Sequence, residues 1–174
     1  GLFEDLKHGV LGVAMDWIAG TSLKALAADE RLDDPAKLAV LGHVAHALEY
    51  LHQKGLVHRD VKLDNVLVRD TFWQDPTRPD GVKLVDLGIA RSVGSDRDLT
   101  EEGTVIGTLS YLAPEVLDGP LGRGLESSPT VDVFAFGVMG WLMLAKTHPT
   151  GLPRSASAVE LALAYRSAAT TPGS

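Results

Sequence analysis

The chain has 174 residues, of which 45% are hydrophobic and 22% are charged, a composition that supports one folded domain and excludes a disordered chain. A formal net charge of −7 at pH 7 disfavours a nucleic-acid-binding domain, because such domains are normally basic. The sequence contains no cysteine, which excludes disulfides, thiolate metal sites and a cysteine nucleophile; a reducing, cytoplasmic location is the expectation.

The first predicted elements are a strand and a short helix. Residues 11–18 are mostly apolar and predict a buried strand that ends in a turn at residues 19–20. Thr21 or Ser22 is expected to cap a short helix that ends near Ala28, because a hydroxyl can accept a hydrogen bond from the first free backbone N–H groups.

A long helix is the clearest element in the sequence. Asp34 followed by Pro35 is typical of a helix start, with an N-cap carboxylate and a proline in the first turn. Gly55 is typical of a helix end. Apolar residues repeat between these signals at helical spacing, and they are Leu38, Leu41, Val44, Ala45, Leu48 and Leu51.

Short β-branched runs follow this helix. Residues 56–57, 66–68 and 82–85 predict small strands separated by polar loops. The stretch 69–81 is polar and contains two prolines and a Pro-Asp-Gly turn, so it predicts a long hairpin connection whose aromatic side chains pack locally.

The last part of the sequence predicts a loop and two helices. Residues 92–107 have few apolar residues and predict a mobile loop. The apolar run 131–145, capped by Thr130, is too short to cross a bilayer and carries Asp132, so it predicts a buried helix. A weaker helical pattern leads into a linker-like tail at residues 167–174.

Candidate catalytic groups are concentrated in two stretches. Residues 58–65 read His-Arg-Asp-Val-Lys-Leu-Asp-Asn, which places an acid, a lysine and an amide between two predicted strands. Asp86 follows another predicted strand, and antiparallel pairing of the two strands would bring Asn65 and Asp86 together. Such an oxygen pair suits Mg²⁺, which prefers hard ligands. The alternative interpretation is a set of loop residues that make caps and turns.

These stretches resemble eukaryotic-type (Hanks-type) serine/threonine protein kinases, in particular bacterial ones. Residues 58–65 match the catalytic-loop motif H-R-D-x-K-x-x-N, and residues 86–88 resemble D-F-G with leucine in the middle. Residues 113–115 match A-P-E, residues 15–23 look like the hinge, and Asp132 matches the acid that anchors the catalytic loop. These motifs occur in the order typical of the family, which makes the resemblance specific.

The resemblance implies an α+β, protein-kinase-like fold with a mainly α-helical C-lobe and short β-hairpins. Residues 1–20 are expected to be the end of the N-lobe and the hinge. Residues 21–166 are expected to form the C-lobe with the catalytic loop, activation segment and central buried helix, and residues 167–174 the tail. No Gly-rich loop precedes the hinge, so the N-lobe is expected to be largely missing, the fold incomplete at both ends and this fragment inactive alone.

The resemblance also implies catalytic roles, with ATP and Mg²⁺ as cofactors. Asp60 would accept or orient the proton of the substrate hydroxyl, and Lys62 would stabilise charge on the transferred phosphoryl group. Thr108 would bridge these two groups, and Asn65 and Asp86 would hold the magnesium ion. The residues expected to contact the cofactors are Asp16, Ile18, Lys62, Asn65, Leu67 and Asp86.

The implied partners are ATP and a protein substrate that offers a Ser or Thr acceptor. Arg59 would bind a phosphate on the activation loop, with Thr100 and Thr104 as candidate acceptors and self-association as the route to autophosphorylation. Glu115 is expected to be structural. No membrane segment is predicted in this chain, although the family makes a membrane-anchored full-length protein an open alternative.

Two other functions remain open at this point. A truncated kinase or pseudokinase could act as a non-catalytic binding module, and a small-molecule phosphotransferase would share the H-x-D…N loop. The retained acids and lysine favour an enzyme over a binding module, and the segment 107–115 favours a protein kinase over a small-molecule one. Five histidines outside the motif are expected on the surface or on helix faces, namely His8, His43, His46, His52 and His148.

Overall fold

The structure is a computed structural model, and it describes residues 2–5, 7, 10–13, 15–88, 109–117, 128–153 and 156–170. The predicted loop at residues 92–107, Thr100, Thr104, Thr108 and His8 lie outside the described residues. The strands are β1 (Leu2–Asp5), β2 (Val10–Val13), β3 (Thr21–Ser22), β4 (Val66–Val68) and β5 (Val82–Leu84). The helices are α1 (Asp34–Gln53), α2 (Asp70–Gln74), α3 (Pro114–Leu117), α4 (Pro129–Ala145) and α5 (Ala158–Thr170), with 3-10 turns at Ala25–Ala28 and Leu63–Asn65.

The first sheet is an antiparallel hairpin of β1 and β2, which pairs Leu2 with Val13. β1 was not predicted, and it supplies the partner that β2 needs. The prediction of a buried strand over residues 11–18 is wrong from residue 15 onward, because residues 15–18 form no strand and are mostly exposed. Met15 is 67% exposed and Trp17 is 92% exposed.

The second sheet has the strand order β3-β4-β5, and both pairings are antiparallel. It contains two of the three predicted small strands. The third, at residues 56–57, is wrong: these residues are irregular and lie between the end of α1 and the loop at 58–65. The connection from β4 to β5 also differs from the prediction, because it contains α2, whose Phe72 is completely buried in the core.

Helix α1 begins one residue earlier than its sequence signal. Asp33, not Asp34, is the N-cap, and its carboxylate accepts the N–H of Ala36 at 2.9 Å. The predicted end is confirmed, since Gly55 adopts a φ of +71° just after the last turn. The buried face consists of Val40, Val44 and Leu48, whereas Leu38 is 60% exposed.

Helix α4 is the most apolar helix and packs in the core of the fold. Ser128 caps it instead of Thr130, because Ser128 Oγ accepts the N–H of Thr130 at 3.4 Å. Its buried side chains join those of α1 and of the second sheet in one core, and they include Ala135, Met139 and Met143. None of the helices in the described ranges is long and apolar enough to cross a membrane.

Helix α5 ends at Thr170, so the first four residues of the predicted tail at 167–174 are helical. The tail residues after Thr170 lie outside the described ranges. α5 lies beside α3 and, through Tyr165, beside α4, because the rings of Tyr165 and Phe134 meet edge to face at 5.0 Å. Of these helices, α4 contacts the loop that carries Asp60, through Asp132.

Candidate active site

Asp132, in the first turn of α4, holds the loop at residues 58–65 by hydrogen bonds. One carboxylate oxygen of Asp132 accepts the backbone N–H of His58 at 2.8 Å, and the other accepts the backbone N–H of Arg59 at 2.8 Å. His52, in the last turn of α1, contributes a third contact through Nε2 at 2.8 Å. Asp132 is 1% exposed and has lost its hydration, so the hydrogen bonds from these N–H groups replace those that its carboxylate would make with water.

His58 connects this loop to the strand that leads to Asp86. Its ring is 1% exposed and lies between two backbone groups. Nε2 donates to the carbonyl oxygen of Val85 at 3.0 Å, and Nδ1 accepts the N–H of Asp60 at 3.3 Å. A carbonyl can only accept and an amide N–H can only donate, so the neutral tautomer carries its proton on Nε2. Burial lowers the pKa of His58, which favours this neutral form.

The Asp60 carboxylate is held by two side chains from its own loop. Lys62 Nζ lies 2.8 Å from Asp60 Oδ2, and Asn65 Nδ2 donates to the same oxygen at 2.8 Å. Asn65 Nδ2 also donates to the backbone carbonyl of Asp60 at 2.8 Å, which closes the loop on itself. The side chains of Asp60 and Lys62 are 16% and 19% exposed, so both groups are positioned yet still reachable by a ligand.

Asp86 follows β5 in a strained conformation, with a φ of +58°. The ladder between β4 and β5 continues one step beyond the strands, because the N–H of Val85 donates to the carbonyl of Asn65 at 2.9 Å. Asn65 is thus opposite Val85, and Asp86 is the next residue after Val85. Asn65 and Asp86 therefore lie at the same end of the sheet. Gly88 then turns back and donates its N–H to the His58 carbonyl at 2.8 Å.

The donor atoms at this end of the sheet fit Mg²⁺. Within the described residues, neither the Asn65 amide oxygen nor the exposed Asp86 carboxylate takes part in a hydrogen bond. In the same part of the chain, no group of three or more histidines and acids could hold a metal by protein ligands alone. An amide and a carboxylate oxygen match the hard-ligand preference of Mg²⁺, which completes its shell with phosphate and water.

One of the residues predicted to contact the nucleotide, Leu67, lies on the middle strand of the second sheet, β4. Leu67 is half-buried on β4 opposite Ser22, and Gly20 crosses β4 so closely that an added Cβ would lie 3.3 Å from Leu67 Cβ. Ile18 is half-buried and Asp16 exposed on the stretch that leads into Gly20. Gly20 therefore brings the hinge-like segment against β4 at Leu67, and Thr108 lies outside the described residues.

His148 was expected on the surface or on a helix face and lies on neither, whereas His52 lies on a face of α1 that is part-buried. His52 is part-buried against Asp132, and His148 is 6% exposed and contacts Ser110. A signal existed for His52, because it continues the buried stripe of Val44 and Leu48 at a spacing of four residues. Sequence spacing offers no such signal for His148.

The sequence of this chain is similar to those of known protein kinases. The family model for the protein kinase domain matches residues 2–169. The serine/threonine-protein kinase drp72 of Corynebacterium efficiens is 34% identical over 160 residues, which cover 91% of this chain and 27% of that protein. PknJ of Mycobacterium tuberculosis is 35% identical and PkaB of Streptomyces coelicolor 37% identical, covering 86% and 81% of this chain and 23% and 33% of theirs.

A solved structure gives the same result for the fold. The crystal structure of Rad53 1-466 in complex with AMP-PNP has a TM-score of 0.59 and 28% identity over 86% of this chain and 33% of that chain. The chain spans about a third or less of the length of these relatives. The family and the α+β fold predicted from the motifs are confirmed, and the chain belongs to the protein kinase domain family.

Proposed function

We propose that the protein containing this chain is a serine/threonine protein kinase, which transfers the γ-phosphate of ATP to a Ser or Thr hydroxyl of a protein. The observation that carries the proposal is the Asp60 carboxylate, held at 2.8 Å by both Lys62 Nζ and Asn65 Nδ2 and still partly exposed. Relatives at about 35% identity are named serine/threonine-protein kinases, which supports the same substrate class.

In the proposed reaction, the substrate hydroxyl oxygen forms a bond to the γ-phosphorus while the bond between that phosphorus and the β–γ bridging oxygen breaks. ADP leaves, and Asp60 orients the hydroxyl and accepts its proton. The transition state of such a transfer needs little covalent help, so positioning and electrostatics dominate. Asn65 and Lys62 hold Asp60 before substrate arrives, and the ammonium of Lys62 adds positive charge where phosphoryl oxygens would gather.

Asn65 and Asp86 are the residues that would hold Mg²⁺ in this proposal. When bound, the ion would neutralise negative charge on the phosphates. Asp16, Ile18 and Leu67 are proposed to contact the nucleotide. In support, the hinge-like stretch runs into Gly20, which lies against Leu67 on β4. Thr108 keeps its proposed role as the bridge between acid and lysine.

Regulation and location are proposed from the sequence and the family. We propose autophosphorylation on the segment that contains Thr100 and Thr104, with contact between two copies as its route, and a cytoplasmic location for the catalytic part. Intact mass before and after phosphatase treatment tests the proposed autophosphorylation. Phosphate-sized increments that phosphatase removes are expected, and their complete absence from an active preparation contradicts it.

The activity itself is tested by transfer of labelled γ-phosphate from ATP to a degenerate peptide library with Ser or Thr acceptors. Asp60→Asn should lower kcat by roughly 10²- to 10⁴-fold, since it removes the proton acceptor and keeps the shape. The matched control is Asp70→Asn, which alters an exposed acid at the start of α2. Transfer by Asp60→Asn at the wild-type rate contradicts the proposal. Wild-type protein that binds ATP without any transfer supports a binding module instead.

A further inference from the structure

An exposed ion pair between Lys24 and Asp64 lies beside the candidate active site. Lys24 Nζ lies 2.6 Å from Asp64 Oδ1, although 40 positions of the sequence separate the two residues. Their side chains are 58% and 41% exposed, so a ligand can reach both charges. The proposed reaction uses neither of them.

Backbone hydrogen bonds hold Lys24 next to the candidate catalytic loop. The ladder between β3 and β4 continues beyond the strands, because the N–H of Leu23 donates to the carbonyl of Val66 at 2.8 Å. The N–H of Lys24 then donates to the carbonyl of Leu63 at 3.2 Å. The backbone therefore keeps Lys24 beside this loop even when its side chain leaves the ion pair.

Asp64 is close to the carboxylate that is proposed to accept the substrate proton. It belongs to the 3-10 turn Leu63–Asn65, and the next residue, Asn65, donates through Nδ2 to Asp60 Oδ2 at 2.8 Å. One peptide unit and one amide side chain therefore separate Asp64 from the Asp60 carboxylate, a span of roughly 10 Å at most. An extended peptide covers that span in about three residues. Substrate residues within about three positions of the acceptor hydroxyl can therefore reach the pair.

The ion pair lies on the side of β4 away from Asp86. Strand β5, which leads to Asp86, pairs with one edge of β4, and β3, which leads to Lys24, pairs with the other edge. Asp86 is a proposed metal ligand, so the phosphates are expected on its side of β4. We therefore expect the acceptor peptide to approach Asp60 from the side of Lys24.

We propose that the Lys24–Asp64 pair sets the charge preference for the acceptor peptide: its two charges offset each other, so a charged residue near the acceptor hydroxyl is neither strongly favoured nor rejected. This inference rests on the proposed function. A basic substrate side chain that is attracted by the Asp64 carboxylate also meets the ammonium of Lys24, and an acidic side chain meets the reverse. Loss of either member of the pair should therefore create a preference that the wild type lacks.

Single substitutions, made in the protein that contains this chain, remove one charge at a time. Lys24→Met keeps a long, unbranched side chain and leaves Asp64 without its counter-ion, whereas Asp64→Asn does the same to Lys24. Acceptor peptides that differ only in a basic, neutral or acidic residue near the Ser or Thr acceptor are compared by kcat/KM. Lys24→Met should favour the basic peptide over the acidic one roughly threefold to tenfold, as expected for one exposed charge, and Asp64→Asn should favour the acidic one. The wild type should discriminate by less than about twofold.

Two controls separate this charge effect from other consequences of the substitutions. The double variant Lys24→Met/Asp64→Asn carries no charge at either position and should again show no preference. Lys37→Met breaks a pair of similar length, 2.7 Å, with Asp34 at the beginning of α1 and should leave the wild-type ratio unchanged. Asp34 lies about 27 Å along α1 from His52, which contacts the carboxylate that holds the catalytic loop.

A second readout does not depend on phosphoryl transfer. Fluorescence anisotropy gives the Kd of the same peptides, and the ratio of Kd values should change in the same direction as the ratio of kcat/KM values. Raising the ionic strength from about 0.05 M to about 0.5 M should weaken the preference of Lys24→Met, because salt screens exposed charges. If Lys24→Met does not fold, Lys24→Gln removes the same charge and should give the same preference.

Three results overturn the inference. The first is a wild type with a strong preference for basic or acidic peptides, and the second is a folded Lys24→Met variant with the same preference ratio as the wild type. The third is a KM for ATP that changes as much as the KM for the peptides, which would assign the pair to nucleotide binding. Absence of transfer by a wild type that binds the peptides would refute the proposed function instead, and the Kd ratios would still decide whether the pair sets the charge preference.

Discussion

Asp132 and His58 are joined by a hydrogen bond of 2.8 Å that spans 74 positions of the sequence. The donor is the backbone N–H of His58, which begins the loop at residues 58–65, and the acceptor is a carboxylate in the first turn of the most apolar helix, α4. Helix N-termini favour negative charge, so α4 stabilises the acid that it carries. The loop that presents Asp60 is therefore fixed to the rigid core of the protein.

Replacement of Asp132 by alanine should lower the free energy of unfolding by about 3 kcal/mol or more. The substitution removes the hydrogen-bond acceptor of two buried backbone N–H groups and the partner of the His52 ring. Urea denaturation measures this loss. Glu30→Gln, at an exposed acid, should change the free energy of unfolding by less than about 0.5 kcal/mol. Equal stability of Asp132→Ala and wild type would show that the loop is held by other contacts.

Gly88 should tolerate no side chain. A Cβ there would lie 3.0 Å from the His58 carbonyl oxygen and 3.3 Å from Arg59 Cβ, so Gly88→Ala must displace the turn that follows Asp86. We expect Gly88→Ala to lose at least about tenfold in kcat/KM for the transfer reaction, since a small misplacement of a metal ligand is costly. Kinetic analysis at fixed Mg²⁺ checks this.

The control for this prediction is Gly42→Ala in α1. A Cβ at Gly42 meets no atom within 4 Å, and alanine favours a helix by about 0.5–1 kcal/mol over glycine. Gly42→Ala should therefore unfold at a higher urea concentration and keep its transfer activity. Normal activity in Gly88→Ala would mean that the turn at Asp86 can shift without harm.

Part of this fold could be predicted from the sequence because its signals are local. The apolar period and the flanking Pro35 and Gly55 mark α1 to within a residue, and β-branched runs mark β4 and β5. The candidate catalytic residues at 58–65 form a contiguous motif. Each of these features depends on residues that are close in sequence.

The remaining features depend on contacts that sequence spacing does not reveal. α2 lies in a polar, proline-containing stretch, and it forms because Phe72 is fully buried in the core. Gly81 approaches Phe72 so closely that an added Cβ would lie 3.1 Å from Phe72 Cβ. His148 is buried because Ser110, 38 positions away, offers a carbonyl. Tertiary contacts of this kind override local composition.

Asn65 should be needed both for the orientation of Asp60 and for the use of Mg²⁺. Asn65→Ala removes two hydrogen bonds to Asp60 and the amide oxygen proposed to ligate the ion. We expect the Mg²⁺ concentration that gives half the maximal rate to rise about tenfold or more, and kcat to fall as well. A Mg²⁺ titration of the transfer rate measures both quantities.

The matched control for the loss of an amide is Gln53→Ala. Gln53 is exposed in the last turn of α1, and within the described residues its side chain bonds only to Glu49, at 3.5 Å. Its Mg²⁺ titration should coincide with that of the wild type. An unchanged Mg²⁺ midpoint in Asn65→Ala would remove Asn65 from the proposed metal site and leave it only the role of orienting Asp60.

The buried ring of His58 should make the stability of the fold depend on pH. Burial lowers the pKa of His58 from its ordinary value of 6.5, so at slightly acidic pH the unfolded chain binds a proton that the folded protein does not. The contribution of His58 to the free energy of unfolding is therefore complete above pH 6.5 and is lost as the pH falls from 6.5 towards the folded-state pKa. The slope for one such group is at most about 1.4 kcal/mol per pH unit.

His58→Gln tests this, because glutamine does not titrate. Urea denaturation between about pH 8 and pH 5 should show wild type more stable than His58→Gln by a constant amount above pH 6.5, and this difference should shrink at lower pH. Gln53→Ala, at an exposed residue of α1 that does not titrate, should run parallel to the wild type over the same range. If the difference between wild type and His58→Gln stayed constant down to pH 5, the His58 ring would titrate alike in both states. The neutral tautomer that joins Asp60 to Val85 would then contribute nothing to the acid sensitivity of the fold.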